Sequence, residues 1–238
     1  MDETLGILLI VLILIVPFVL YFVCEYMKYK NSSYYKLTQN SYFEVNNNAG
    51  AYGEFSVYKN LQYFENLGAK FLFNLYIPAE NGKTTEIDVL MICSRGIFVF
   101  ESKNFSGWIF GNERQRKWTQ SLPVGYGECH KEYFYNPIMQ NAYHIKHLRN
   151  IIEQDIRMLS VIVFSDNCTL KNIQVSSENV FVVYLSNLKS LISNLLKKYD
   201  TKLLSRYQQD EIYNRLYSFS QVSDFTKMNH ILNLKPKK

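Results

Sequence analysis

The chain has 238 residues, 47% of them hydrophobic, which is enough for one α/β domain with an accessory segment and too few for two large domains. Lys and Arg outnumber Asp and Glu by 26 to 21, a modest basic excess that suits nucleic acid or anionic lipid headgroups without choosing between them. Cys24, Cys93, Cys129 and Cys168 form no CxxC pair, which excludes the common zinc modules and reads as reduced, buried or incidental thiols in a reducing compartment.

The chain opens on a membrane-anchor signal. Residues 5–23 (LGILLIVLILIVPFVLYFV) are 19 consecutive uncharged residues, long enough to cross roughly 30 Å of hydrocarbon as a helix. Pro17 would kink that helix. A cleaved signal peptide would begin with basic residues and end at a small-residue site, whereas this start is acidic and no A-x-A follows. Asp2 and Glu3 precede the span and Lys28, Lys30 and Lys36 follow it. The expectation is a single-pass protein of the cell membrane, with residues 1–4 as a short external tail and the body in the cytoplasm. Residues 24–48 read as a polar juxtamembrane linker.

The body then alternates helical and strand patterns. Apolar residues at Phe55, Val57, Tyr58, Leu61 and Phe64 predict a helix over 53–67, ended by Gly68. Residues 71–77, 86–93 and 97–103 predict three strands, with a turn at Asn81-Gly82 and a tight one at Ser94-Arg95-Gly96. Residues 107–111 and 116–120 predict a hairpin around Asn112-Glu113, and 122–135 a loop. Residues 137–152 predict a helix with Asn136 as N-cap and Pro137 in its first position. The apolar runs 159–164 and 180–185 predict strands buried on both faces, and 185–198 and 208–219 predict helices. The KPKK ending reads as a solvated tail. This order implies an α/β sandwich around a mixed sheet.

Asp88 is followed thirteen residues later by Glu101-Ser102-Lys103. A two-residue loop at Arg95-Gly96 would set Asp88 opposite Lys103 and Leu90 opposite Glu101, so alternation would send Asp88, Glu101 and Lys103 to one face. A one-residue slip would send Asp88 to the other. Two carboxylates at close range repel unless a cation lies between them, and such hard oxygen donors suit Mg²⁺ or Mn²⁺. A metal there would lower the pKa of a bound water and neutralise charge on a phosphate, while Lys103 orients the water or stabilises the pentavalent phosphorus. The residues alone leave a second reading open: a Glu–Lys pair on an exposed edge strand, with Asp88 hydrogen-bonded in a turn. Cys129-His130 with His144 and His147 lacks metal-ligand spacing. Trp108 and Trp118 read as sheet packing before base-stacking surfaces.

Three blocks occur in order: GEFSVYKNL, TTEIDVLMICSRGIFVFESKNFSGWIFG and NPIMQNAYHIKHL. Together they resemble the nuclease-related domain (NERD) family over 49–165. The middle block carries most of the likeness, through its acid-hydrophobic-Asp triplet, the Gly before the third strand, E-x-K-N, and a Gly three residues after that Asn. That family is grouped with the PD-(D/E)xK nucleases, so the resemblance implies a restriction-endonuclease-like fold: a mixed sheet flanked by helices, here preceded by one transmembrane helix and followed by a C-terminal α/β extension over 166–238. It implies that Asp88 and Glu101 bind metal, that Lys103 is catalytic, that Glu54 is a third ligand or a water contact, and that Gln140 holds the site or the DNA. Glu54 at a helix start serves the helix dipole equally well. His144 stands where some relatives carry Tyr, and it also shares a helical stripe with Ile145 and Leu148, as a packed core histidine would.

Two functions are in contention. One is a membrane-anchored, Mg²⁺- or Mn²⁺-dependent nuclease acting on DNA, with RNA as a second substrate. The other is a catalytically silent module binding nucleic acid or protein at the membrane.

Overall fold

The computed structural model describes residues 3–125 and 127–234, so the KPKK tail lies outside the described residues. Helix α1 (Glu3–Asn31) runs through Pro17, and its Val11–Asn31 part is long and apolar enough to cross a membrane. Its last turns dock on the body. Tyr29 is buried, and Glu25 pairs with Lys59 at 2.8 Å.

The 24–48 segment differs from the expected linker. After α1 it forms α2 (Ser33–Thr38) and α3 (Tyr42–Asn47), and it buries Tyr34 and Val45. Its Ser and Asn residues, which read as linker, are caps. Ser32 Oγ accepts from Tyr35 N, and Ser41 and Glu44 form a capping box. The tyrosine rings supply the apolar bodies that hold these short helices down.

The expected 53–67 helix begins earlier, because Asn48 Oδ1 caps the amides of Gly50 and Ala51, and it is divided into α4 (Ala49–Leu61) and α5 (Tyr63–Asn66). There follow β1 (Lys70–Pro78), β2 (Thr84–Cys93), β3 (Gly96–Lys103), β4 (Gly107–Asn112), β5 (Lys117–Gly125) and β6 (Glu128–Tyr135). The chain continues through α6 (Pro137–Ile152), β7 (Met158–Phe164), β8 (Cys168–Gln174), β9 (Val180–Tyr184), α7 (Leu185–Lys198), α8 (Arg206–Ser220) and α9 (Asp224–Leu234).

The strands form two mixed sheets where one was expected. The first has the order β1-β2-β3-β7-β9, an antiparallel meander extended by two parallel strands. The second has the order β6-β5-β4-β8. One face of the first sheet packs on α4 and α7 through Val57, Tyr58, Leu61, Leu188 and Ile192. The other packs on α6 and α8 through Leu148, Ile152, Ile212 and Leu216. Ile109 and Trp118 of the second sheet close over Ile162 and Phe164 of β7.

The stretch expected as a loop over 122–135 is the outer half of a hairpin. Its turn is made by Gly125 and Gly127, at φ 97° and 81°. The hairpin projects into solvent, so its sequence lacks the apolar alternation that marks a half-buried strand. Strand β8 and helix α9 were also unexpected. Both are largely exposed and correspondingly weak in apolar pattern.

Candidate active site

The site lies where β2 and β3 part. Their ladder runs from Cys93↔Gly96 to Val89↔Phe100. Leu90 faces Val99, not the expected Glu101, so each partner moves by two residues. The loop is Ser94-Arg95, and Gly96, at φ 131°, is already paired. A shift of two preserves parity, which is why the expected grouping of side chains survives the wrong turn.

Parity alone does not place Asp88. Phe73 and Val89 pack on the α4 side of the sheet, whereas their ladder neighbours Leu75 and Ile87 pack on the α6 side. The alternation therefore inverts between these two pairs, at Asn74 and Asp88, and Asn74 adopts a left-handed φ of 50°. As a result Thr85 meets α6, and Asp88 turns toward the gap between strands, where its Oδ2 accepts from the Ser102 amide at 2.8 Å.

Glu101 and Lys103 keep regular alternation and face α6. Lys103 Nζ donates to Glu101 Oε1 at 2.5 Å and to Gln140 Oε1 at 3.2 Å. The second oxygen of Glu101 lies 3.2 Å from His144 Nε2, and His144 Nδ1 lies 2.6 Å from Thr85 Oγ1. A carboxylate only accepts, so Nε2 carries a proton toward Glu101. His144 is thus more than core filler: it braces Glu101 against β2. Q-x-x-x-H spacing on a helix was the signal for it, since residues four apart share a face.

Helix α6 is fixed at both ends of this contact. Asn136 Nδ2 donates to the carbonyls of Asn112, Glu113 and Gln115, while its Oδ1 caps Ile138. Asn141 Nδ2 donates to Val99 O and Ser160 Oγ, pinning the helix to β3 and β7. On the opposite side α4 approaches β3 at Gly53, where an added Cβ would come within 2.7 Å of Ser102 Oγ. Glu54 follows it and receives hydrogen bonds from Tyr34 and the Asn74 side chain.

The electrostatics are those of crowded carboxylates. Burial, then the neighbouring charges of Glu101 and Glu54, hold Asp88 well above the usual range. Burial and the nearby Glu86 push Glu54 up to about 8. Burial raises Glu86 too. Glu101 goes the other way: burial would raise it, but Lys103 and His144 outweigh that and keep it below its ordinary value. Desolvation of Lys103 is likewise outweighed by Glu101 and Asp88, so its ammonium holds its proton more tightly than usual. A cleft of about 560 Å³ opens beside this cluster, lined by Glu86, Asp88, Tyr135, Gln140, His144 and His230 among others.

The structure therefore joins Glu101, Lys103 and Gln140 in one hydrogen-bonded network, with Asp88, held by the Ser102 amide, and Glu54 within electrostatic reach. The family model described as nuclease-related domain matches residues 49–165. An uncharacterized protein of Bacillus anthracis is 31% identical over 182 residues, covering 76% of this chain and 82% of the relative. The chain belongs to the nuclease-related domain family. No solved structure matches it.

Within this NERD domain the donors suit a hard divalent ion in kind. Among the described residues no three His, Cys, Asp or Glu side chains form a ready-made cage. Mg²⁺, however, commonly takes only one or two carboxylates and completes its shell with water and phosphate. Asp88 and Glu101 would be such a pair, and burial, followed by neighbouring carboxylates, disfavours the charged forms of Asp88 and Glu54, an effect that a bound cation would oppose. Thr85, Glu86 and Asn74 are members of the site whose roles the sequence did not disclose.

Proposed function

We propose that this NERD protein is a nuclease that hydrolyses phosphodiester bonds of DNA, with RNA as a second substrate. Asp88 and Glu101, assisted by Glu54, would hold Mg²⁺ or Mn²⁺. The observation that carries the reading is the position of Lys103, between the carboxylate of Glu101 and the amide of Gln140. A bound divalent ion would supply an activated water and neutralise charge on the phosphate. Lys103 remains protonated beside two carboxylates, so it acts as a cation and donor toward a phosphate oxygen, not as the base. Gln140 aims the ammonium. His144 keeps the Glu101 carboxylate from rotating, and Ser102 N–H does the same for Asp88. Residues 5–23 would tether the protein to the cell membrane. Lys28, Lys30 and Lys36 on the body side support an external N-terminus and a cytoplasmic body.

A silent binding module is the second reading, favoured by the occupation of both Glu101 oxygens by Lys103 and His144. The two separate in a cleavage assay of the full chain in detergent, with single- and double-stranded DNA and RNA, with and without Mn²⁺. Metal-dependent cleavage that falls at least about 100-fold in Lys103→Ala and Glu101→Ala supports the nuclease. Equal cleavage by Lys103→Ala refutes its role. No cleavage, together with no thermal shift on adding Mn²⁺, favours the silent module.

A further inference from the structure

The four-stranded sheet has an outer face that the catalytic reading does not use. The ladders fix which residues share it. Trp108 is paired with Ser121 and Ser121 with Lys131, while Phe110 is paired with Thr119 and Thr119 with Tyr133. Lys117 is paired with Tyr135. Directly opposed residues project to the same side, so Trp108, Phe110, Tyr133 and Tyr135 stand together with Lys117 and Lys131. The inner side carries Ile109 and Trp118, both buried in the core.

These aromatic rings are open to solvent: Trp108 is 46% exposed and Tyr133 66%. Lys171 of the adjoining β8 places its ammonium 5.0 Å from the centre of the Trp108 ring. On β6 the acids Glu128 and Glu132 occupy the alternate positions and so point away from this face. The result is a sheet face on which exposed rings stand beside lysines. Tyr135, at its end, also lines the cleft that holds Asp88 and Gln140.

We propose that this face is a stacking platform for single-stranded nucleic acid and leads the strand into the Asp88–Glu101 cleft. The proposal names the substrate form of the nuclease and rests on that reading. Base faces are accessible to flat aromatic side chains only where the strand is unpaired, since a duplex offers edges and phosphates. The lysines supply phosphate contacts along the same path. An interface with a second protein would be expected to exclude lysine from its centre, whereas Lys117 and Lys171 sit among the rings.

The test uses the full chain in detergent with EDTA, so that binding is read without cleavage. The probe is a fluorescent oligothymidylate, compared with a duplex and with an oligouridylate. Trp108 is the exposed tryptophan and Trp118 is buried, so stacking should quench fluorescence in the wild type and not in Trp108→Phe. Trp108→Ala and Tyr133→Ala should each weaken single-strand binding about tenfold, leave duplex binding unchanged and leave the melting temperature unaltered. Either oligonucleotide meets the expectation. Wild-type affinity in the Trp108→Ala/Tyr133→Ala double variant overturns the platform, as does a change in sedimentation without a change in binding, which would make the face a self-association surface. Platform-dependent binding without cleavage under any metal leaves the platform standing and removes the nuclease.

Discussion

Glu54 is held in a place where its charge is costly, and replacing it tests the electrostatics of the site without touching Lys103. Burial and Glu86 raise it from 4.5 to about 8. The folded chain therefore binds this proton more tightly than the unfolded chain. Its contribution to stability is fully present below about 4.5 and is lost as the pH rises through about 8. At about 1.4 kcal/mol per unit the ceiling above pH 8 is about 5 kcal/mol, and relaxation and water around a half-buried side chain reduce it to about 2 kcal/mol. Glu54→Gln keeps the shape, accepts from Tyr34 and removes the charge. It also gives the buried, unpaired Asn74 Oδ1 a donor. In EDTA at pH 8 the variant should melt about 4–8 °C above the wild type, and the gap should shrink toward zero at pH 5. Saturating Mn²⁺ should narrow it at pH 8 as well, because the metal favours the wild-type carboxylate. A Gln variant less stable than the wild type at pH 8 in EDTA, or a gap independent of pH, would show that Glu54 is not under electrostatic pressure.

Other substitutions probe the supports of the site. His144→Ala leaves Glu101 Oε2 buried without its partner and should lower stability by about 1–3 kcal/mol along with cleavage; unchanged melting and activity would reduce His144 to packing. Asn136→Ala removes three carbonyl contacts and a helix cap, so urea unfolding should show a loss of about 2–4 kcal/mol, and a loss under 1 kcal/mol would count against that network. Gly111→Ala would set a Cβ 2.1 Å from the ring of Trp118, which is stacked on Phe164 at 6.1 Å and cannot retreat. A destabilisation of about 3 kcal/mol and altered Trp118 fluorescence should follow, and a near-native melt would disprove the tight packing.

What was legible in the sequence was whatever a short-range rule controls. Asn136-Pro137 starts α6 where a capping residue followed by proline should. The continuous apolar runs became β7, an interior strand buried along its whole length, and β9, which lies at the sheet edge and is only half-buried, short of the burial on both faces that its pattern predicted. Glu101 and Lys103 share a face by simple strand alternation, and the expected turn, though two residues off in its pairing, kept the right parity. The misses have a common physical origin, in that each depended on a distant partner. The 24–48 segment is rich in Ser, Asn and Tyr, and it joins the core through contacts with distant residues, such as the rings of Phe55 and Phe73 packing on Tyr34. The β5–β6 hairpin extends into solvent, so burial never shaped its pattern.

Asn74 shows most clearly why the site could not be drawn from spacing alone. A polar residue within KFLFNLYIP looks like an imperfection in a strand. In the fold it adopts a left-handed conformation, inverts the faces of β1 and β2 at Asp88, and contacts Glu54 from the neighbouring strand. Without that inversion Thr85 would face away from His144, and Glu101 would lose the brace on its second oxygen. An L-residue with positive φ costs free energy, and only Asn, Asp or Gly bear it readily. The strain at Asn74 therefore sits where the carboxylates must be aimed, and a residue that cannot take that conformation should disperse the cluster even though Asp88, Glu101 and Lys103 all remain in the sequence.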